Sequence, residues 1–282
     1  MNWRLKIAAK VALSRLGLPY DRWRGLGLFR LGRMDRPDYA LKIFDLHIRR
    51  AFPDGRLDGK TVLEIGPGDS LASAVAARAH GAAQTLLVDA GAFASRDVDL
   101  YRAMADALAA RDLAAPDLTD AQTLEDVLTR CSARYLTTGV EAFADLADGS
   151  VDLIWSHSVL EHIPLQQLPR LMAEMRRVLK PDGRMSHNID FQDHLSHGLN
   201  SLRFSEAVWE SPTMRNAGFY TNRVRARTMH DLIRQAGFDL IVEDFGRWPE
   251  PPLARRDLDP AFRDLTDDEL SIRTSHLLAR PT

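Results

Sequence analysis

The 282-residue chain has a single cysteine, Cys131, so it forms no internal disulfide and no all-cysteine metal cluster. One thiol goes with a reducing, cytoplasmic setting. No stretch approaches the roughly 20 consecutive apolar residues that span a bilayer. Internal repeats and low-complexity segments are lacking too. With 45% hydrophobic and 27% charged residues, the composition excludes a disordered, collagen-like or coiled-coil chain. Net charge is small at −2, but residues 1–60 carry 14 Lys/Arg against 6 Asp/Glu and the remainder 23 against 33. The main body is therefore acidic, which argues against nucleic acid as the partner.

The opening MNWRLKIAAKVALSRLGL resembles a signal peptide only superficially. Lys6, Lys10 and Arg15 interrupt it and no small-residue cleavage site follows, so no secretory signal is expected. Leu5, Ala8, Ala9, Ala12, Leu13 and Leu16 fall on one stripe at helical spacing, flanked by Arg4 and Arg15 on one side and Lys6 and Lys10 on the other. Two readings stay open. Trp3, Ile7 and Val11, on another face, would dock this helix on the rest of the chain. Alternatively, the basic flanks would let residues 1–24 touch a membrane peripherally, at its inner face.

From residue 61 short apolar runs alternate with helical stretches. Strands are expected over Thr61–Ile65, Thr85–Asp89, Arg134–Thr138, Val151–His157, Gly183–Ile189, Leu240–Phe245 and Ile272–Ala279. Helices are expected over Leu71–His80, Asp97–Ala110, Ala121–Cys131, Leu165–Leu179 and Thr228–Ala236. The first, second and fourth runs are continuously apolar, as strands covered on both faces should be. This is the pattern of an α/β, doubly wound, Rossmann-like sheet. Residues 1–59 would be a helical N-terminal extension and 60–282 the main domain. Residues about 191–227 break the alternation; they are long, polar and rich in His, Asn, Arg and aromatics. They read as a lid or binding insertion.

The sharpest motif is VLEIGPGDS, Val62–Ser70, directly after the first strand. Gly66 and Gly68 permit a tight strand-to-helix turn that a ligand can approach, at the positive N-terminus of the next helix. A dinucleotide site would have a third glycine at position 71, where Leu71 stands. That disfavours a hydride-transfer enzyme. Glu64 suits a cationic neighbour better than a pyrophosphate. Asp89 ends the second strand 21 residues after Gly68, where such folds place an acid for ribose hydroxyls.

These residues resemble the class I S-adenosylmethionine-dependent methyltransferases. The resemblance covers about residues 60–190: Glu64–Gly68 as E-x-G-x-G, Asp89 in LLVDA, DGSVDLIWSHSVLEHI and LMAEMRRVLKPDGRMSHNID. It implies a seven-stranded sheet with the last strand antiparallel, and S-adenosylmethionine over the carboxyl ends of the first strands. It also implies cofactor contacts from Glu64, Gly66, Pro67, Gly68, Ser70, Asp89, Ala90, Val140, Glu141 and Ser156. Where many relatives have Gly-Asp-Ala near adenine, this chain has Gly139, Val140 and Glu141. The block from SHNIDFQDH to GFYTNR is also similar to methyltransferases of bacterial polysaccharide gene clusters.

Methyl transfer needs mainly in-line positioning, and an oxygen acceptor gains from a base. Candidate bases are dense after the fourth and fifth strands: His157, His162, His187, Asp190, Asp193, His194 and His197. Asp190, His194 and His157 are the favoured ones. Ser158 stands where some similar quinone O-methyltransferases carry a further Glu, so no metal at Glu161 and His162 is expected. Trp209, Phe219, Tyr220, Asn222, Arg223, Arg225 and Arg227 would suit a polar acceptor. The expected activity is O-methylation of a sugar or glycan-type small-molecule acceptor. N- or C-methylation of another metabolite, or a non-catalytic protein keeping the fold, are the alternatives.

Overall fold

The computed structural model describes residues 3–14 and 33–282. Along the chain run α1 (Trp3–Ser14), α2 (Pro37–Ala51), β1 (Thr61–Ile65), α3 (Ala72–Ala79), β2 (Gln84–Val88), α4 (Val98–Ala109), α5 (Leu124–Arg130) and β3 (Ala133–Leu136). Then come β4 (Val151–His157), α6 (Leu168–Val178), β5 (Leu179–Asp190), α7 (Glu206–Trp209), α8 (Pro212–Arg215), α9 (Ala226–Gln235), β6 (Phe238–Arg247), α10 (Asp267–Ser271) and β7 (Ile272–Pro281). The sheet has seven strands in the order β3-β2-β1-β4-β5-β7-β6. Strands β1 to β5 are parallel, and β7 slides antiparallel between β5 and β6.

The apolar runs explain the centre of the sheet. Leu63 of β1 sits level with Leu86 of β2 and Ile154 of β4, and all three are buried. One face is covered by α2, α3 and α4, where Leu41, Phe44, Ile48, Val75, Tyr101 and Trp155 share a core. The other is covered by α6, α9 and a 3-10 turn at Gly139–Asp145, through Phe143, Met172, Met175, Met229 and Ile233. Phe44 meets the Trp155 ring edge-on at 6.2 Å, so α2 is part of the sheet's covering layer.

Two of the boundaries and one segment that differ from expectation do so for local reasons. Helix α5 starts at Leu124 because Thr123 and Asp126 close a reciprocal capping box. Strand β5 starts at Leu179, which pairs with Val151 ahead of a register shift. Residues 191–227 are not a structureless loop. They hold a 3-10 turn and two one-turn helices, α7 and α8, and close a small core from Leu195, Trp209, Met214, Ala217, Phe219 and Tyr220.

Trp3, Ile7 and Val11 of α1 pack against that small core, with Trp3 edge-on to Phe204 at 6.0 Å. The docked face is thus the one expected. Leu5, Ala8 and Ala12 stay exposed. Residues 15–24 of the expected membrane-contact segment lie outside the described residues. Among the described residues no helix is long and apolar enough to cross a membrane.

Candidate active site

Three loops meet at Asp89, at the carboxyl ends of β1, β2 and β3. Its carboxylate accepts the Gly68 N–H at 2.9 Å and the Ala90 N–H at 2.7 Å. Its backbone N–H donates to the Leu136 carbonyl, and its carbonyl accepts the Gly139 N–H, both at 2.8 Å. Burial pushes the Asp89 carboxyl above its ordinary ionisation range, while the two N–H donors pull it back.

Gly66 and Gly68 both have left-handed backbone, φ +71° and +68°. At Gly66 a Cβ would stand 2.6 Å from Cγ2 of Val159, so the turn allows no side chain there. Pro67 and Gly68 are buried in the turn. Ser70 is fully buried, and its Oγ accepts the Ala72 N–H at 3.1 Å where α3 begins. Glu64 is 3% exposed, its carboxylate accepting the Ser73 hydroxyl. Burial raises its pKa to about 8, against the opposing pull of Ser73. Ser73 had no signal in the sequence, because its role exists only once α3 folds back over β1.

The remaining cofactor candidates separate. Val140 is buried beside the Gly139 turn, and Ala90 is exposed on the rim. Glu141 points outward into an ion pair with Arg170. Ser156 is fully buried within the sheet, its Oγ 2.7 Å from Nδ1 of His187.

The histidines divide in the same way. His187 is fully buried, and burial lowers its pKa to about 3. His157 bonds Nε2 of His47 at 3.2 Å, and His47 in turn bonds the Ser186 hydroxyl at 2.8 Å. Burial takes His157 down to about 4, so its ring is neutral near pH 7. Asp193 caps its own loop, accepting the backbone N–H groups of Leu195, Ser196 and Asn200. His197 is exposed, in left-handed backbone.

His194 and His162 come together, Nε2 to Nε2 at 3.0 Å. They lie beyond β5 and β4, on the 191–227 segment and on a 3-10 turn at Leu160–His162. Asp190 ends β5; its carboxylate holds Gln192 and its N–H donates to Glu161 at 3.2 Å. Glu161 is buried with Oε2 lacking a protein partner, and burial raises its pKa well above the carboxylate range. His162 is lowered, chiefly by burial. Asn222 pins this turn by donating to the carbonyls of Leu160, Ile163 and Glu161.

The aromatic and basic residues expected to hold an acceptor are structural instead. Trp209, Phe219 and Tyr220 fill the small core, and Trp209 donates to the Thr221 carbonyl at 2.7 Å. Arg223 holds the carbonyl of Phe204, and Arg225, 4% exposed, holds those of Phe191, Glu269 and Ile272. Arg227 pairs with Asp268 on the surface. A depression of about 640 Å³ at the amino end of β6 lies away from these loops, and its charges are paired as Arg280–Asp239 and Arg234–Glu243.

A buried carboxyl at Glu64 and a rim carboxylate at Asp89 flank a turn too tight for side chains. These two carboxyl groups are the ones that the resemblance assigns to the amino and ribose groups of S-adenosylmethionine. Fold and turn are those that the resemblance to class I S-adenosylmethionine-dependent methyltransferases implies. Residues 63–186 match the family model described as a methyltransferase domain. No curated protein matches the chain. Among solved structures it is similar to an S-adenosylmethionine-dependent methyltransferase of Mesorhizobium loti, with 16% identity, TM-score 0.45, and 80% of this chain and 92% of that one covered. A Methanosarcina mazei methyltransferase gives 14%, 0.48, 79% and 93%. Phosphoethanolamine N-methyltransferase 2 of Haemonchus contortus gives 14%, 0.49, 85% and 52%. Identities of this size say nothing of an acceptor.

Proposed function

We propose that the chain methylates a hydroxyl of a sugar or glycan-type small molecule, with His194 as the base that takes the hydroxyl proton. The observation that carries this reading is the His194–His162 pair beside Asp190, at the carboxyl ends of β4 and β5. An amine with a free lone pair needs no base, whereas a hydroxyl gains from one by about 10²–10⁴-fold. Asp190, Gln192 and His194 are all partly exposed and polar, which suits an acceptor with several hydroxyls.

The bound cofactor supplies a methyl group on a sulfonium leaving group. Glu64 and the Gly66–Ser70 turn hold its amino-acid end, Asp89 its ribose, and the Gly139–Val140 turn its base. Asp190 orients the acceptor, and His194 holds the proton as the oxygen is methylated. His157, held by His47, stands outside this assignment. Helix α2 covers the sheet ahead of the domain 60–282, and residues about 191–227 cover the acceptor. The type found in bacterial polysaccharide clusters fits this reading. So does a cytoplasmic place at the inner membrane face, supported by the basic residues 1–60 and the outward Leu5, Ala8 and Ala12.

The test is methyl-labelled S-adenosylmethionine incubated with the protein and an extract of its own cells, then split into organic, aqueous and protein fractions. Label in a glycan- or sugar-containing product supports the reading, and label only on amines or protein contradicts it. Label in the organic fraction also supports membrane contact through residues 1–24, and label confined to the aqueous fraction speaks against it.

A further inference from the structure

A chain of side-chain hydrogen bonds runs from α2 to the carboxyl end of β4. His47 is fully buried and uses both nitrogens: Nδ1 lies 2.8 Å from Oγ of Ser186 on β5, and Nε2 lies 3.2 Å from Nδ1 of His157 on β4. The Trp155 ring lies 4.9 Å from that of His47 and the His276 ring 5.4 Å, so packing as well as bonding fixes its plane. His157 is gripped by one nitrogen only. Its ring is half-buried, and Nε2 has no partner among the described residues. Unlike Nε2 of His187 and of His276, it is not enclosed by protein.

The sheet sets where that nitrogen stands. Strand β4 lies between β1, whose end carries the Gly66 turn, and β5, which ends in Asp190. His157 is the last residue of β4 and is level with Asn188, and Asp190, two residues further on, shares the face of Asn188. Ser158 then turns the chain in left-handed backbone, φ +56°, its N–H donating to the Asn188 carbonyl at 2.8 Å. A non-glycine residue held in that region marks a place where the fold imposes a geometry. It brings Val159 onto the Gly66 turn. His157 therefore stands between the turn assigned to the cofactor and the carboxylate assigned to the acceptor, at the strand ends where doubly wound sheets bind ligands.

The neutral ring offers a hydrogen bond and no charge. Two proton arrangements satisfy the chain. Either Ser186 donates to His47 and His47 to His157, which leaves the His157 proton on Nε2, or every donor reverses, which leaves Nε2 bare. A hydroxyl both donates and accepts, so it matches Nε2 in either arrangement.

We propose that His157 binds the acceptor, its Nε2 holding a hydroxyl other than the one methylated, and that His47 is the residue that positions it. This rests on the reading of the acceptor as a sugar or glycan-type molecule seated over β4 and β5, and it leaves proton removal to His194.

Methyl transfer from labelled S-adenosylmethionine into a dilution series of the extract fraction that takes label separates KM from kcat. His157→Asn keeps a polar atom near the place of Nδ1, for His47, and has none at the place of Nε2. Its KM should rise about three- to tenfold, the worth of one neutral hydrogen bond, with kcat and S-adenosylhomocysteine affinity unchanged. His157→Gln puts a polar atom back at the place of Nε2 and should recover most of the KM. His47→Asn keeps the bond to Ser186 and loses the one to His157, so it should raise KM in the same way. His47→Gln, which still reaches His157, should raise it less and serves if the Asn variant does not fold. An unchanged KM in His157→Asn overturns the binding role, and so does a loss confined to kcat, which would make His157 the base. A KM unchanged in both His47 variants overturns the positioning role. A wild type that labels only amines overturns the parent reading and this proposal with it, whereas label in a sugar fraction with an unchanged KM in His157→Asn overturns this proposal alone.

Discussion

Glu64 makes a proton-linked prediction that can be worked through. In the folded chain it ionises at about 8, against an ordinary 4.5. Between those values the folded state keeps a proton that the unfolded chain has lost. The stability contributed by this group is therefore complete below the unfolded value and is lost as pH rises through the folded one. At about 1.4 kcal/mol per unit the loss is about 2 kcal/mol by pH 6 and about 4 kcal/mol by pH 8, where it begins to level off. Glu64→Gln replaces the carboxyl with a neutral group of similar shape that still accepts from Ser73. The cofactor-free variant should gain on the wild type by those amounts, relative to their difference near pH 4.5. His157, His187 and His276 are lowered to about 4, 3 and 4 by burial and act in the opposite sense below 6.5. Both proteins share them, so they cancel in the difference. Urea unfolding of the two proteins in steps from about pH 5.5 to 9 reads it out. A gap that does not change with pH refutes the reasoning.

Other outcomes follow from the same loops. Gly66→Ala should cost about 1–3 kcal/mol, since it forces a side chain into left-handed backbone and against Val159; a thermal melt equal to wild type contradicts it. Asp89→Ala removes the acceptor of the Gly68 and Ala90 N–H groups and should weaken S-adenosylhomocysteine binding about tenfold or more, measured by calorimetry. Trp3→Ala removes the edge-on contact with Phe204 and should cost about 1–2 kcal/mol. Faster hydrogen exchange confined to residues 195–220 is the expected signature, and unchanged exchange there would mean that α1 does not brace the segment.

The sheet was legible in the sequence where burial is two-sided. Thr61–Ile65 and Val151–His157 were expected with the same limits as observed, because a strand covered on both faces is a continuous apolar run. The seven-stranded sheet with an antiparallel last strand came from the resemblance and is the observed topology. What stayed illegible depends on contacts between distant residues. Trp209 and Phe219 read as acceptor-binding because α7 and α8 are too short to show a helical period, yet these residues close a core of their own. Arg223 and Arg225 read as ligand-binding charges, while their terminal N–H groups hold backbone carbonyls. The partner of His157, His47, lies 110 residues earlier, in a helix assigned to an extension, so nothing local announced that contact. Nothing local in SVLEH distinguishes the buried Glu161 from His162 or ties either to Tyr220.

The most direct test of the account is methyl transfer from labelled S-adenosylmethionine by the wild type and His194→Ala, on the fraction that accepts label, with S-adenosylhomocysteine binding measured for both. The account predicts a wild-type rate that rises with pH through the histidine range, and a loss of about 100-fold or more in the variant at unchanged affinity. A variant that binds equally and transfers methyl at the wild-type rate would contradict it.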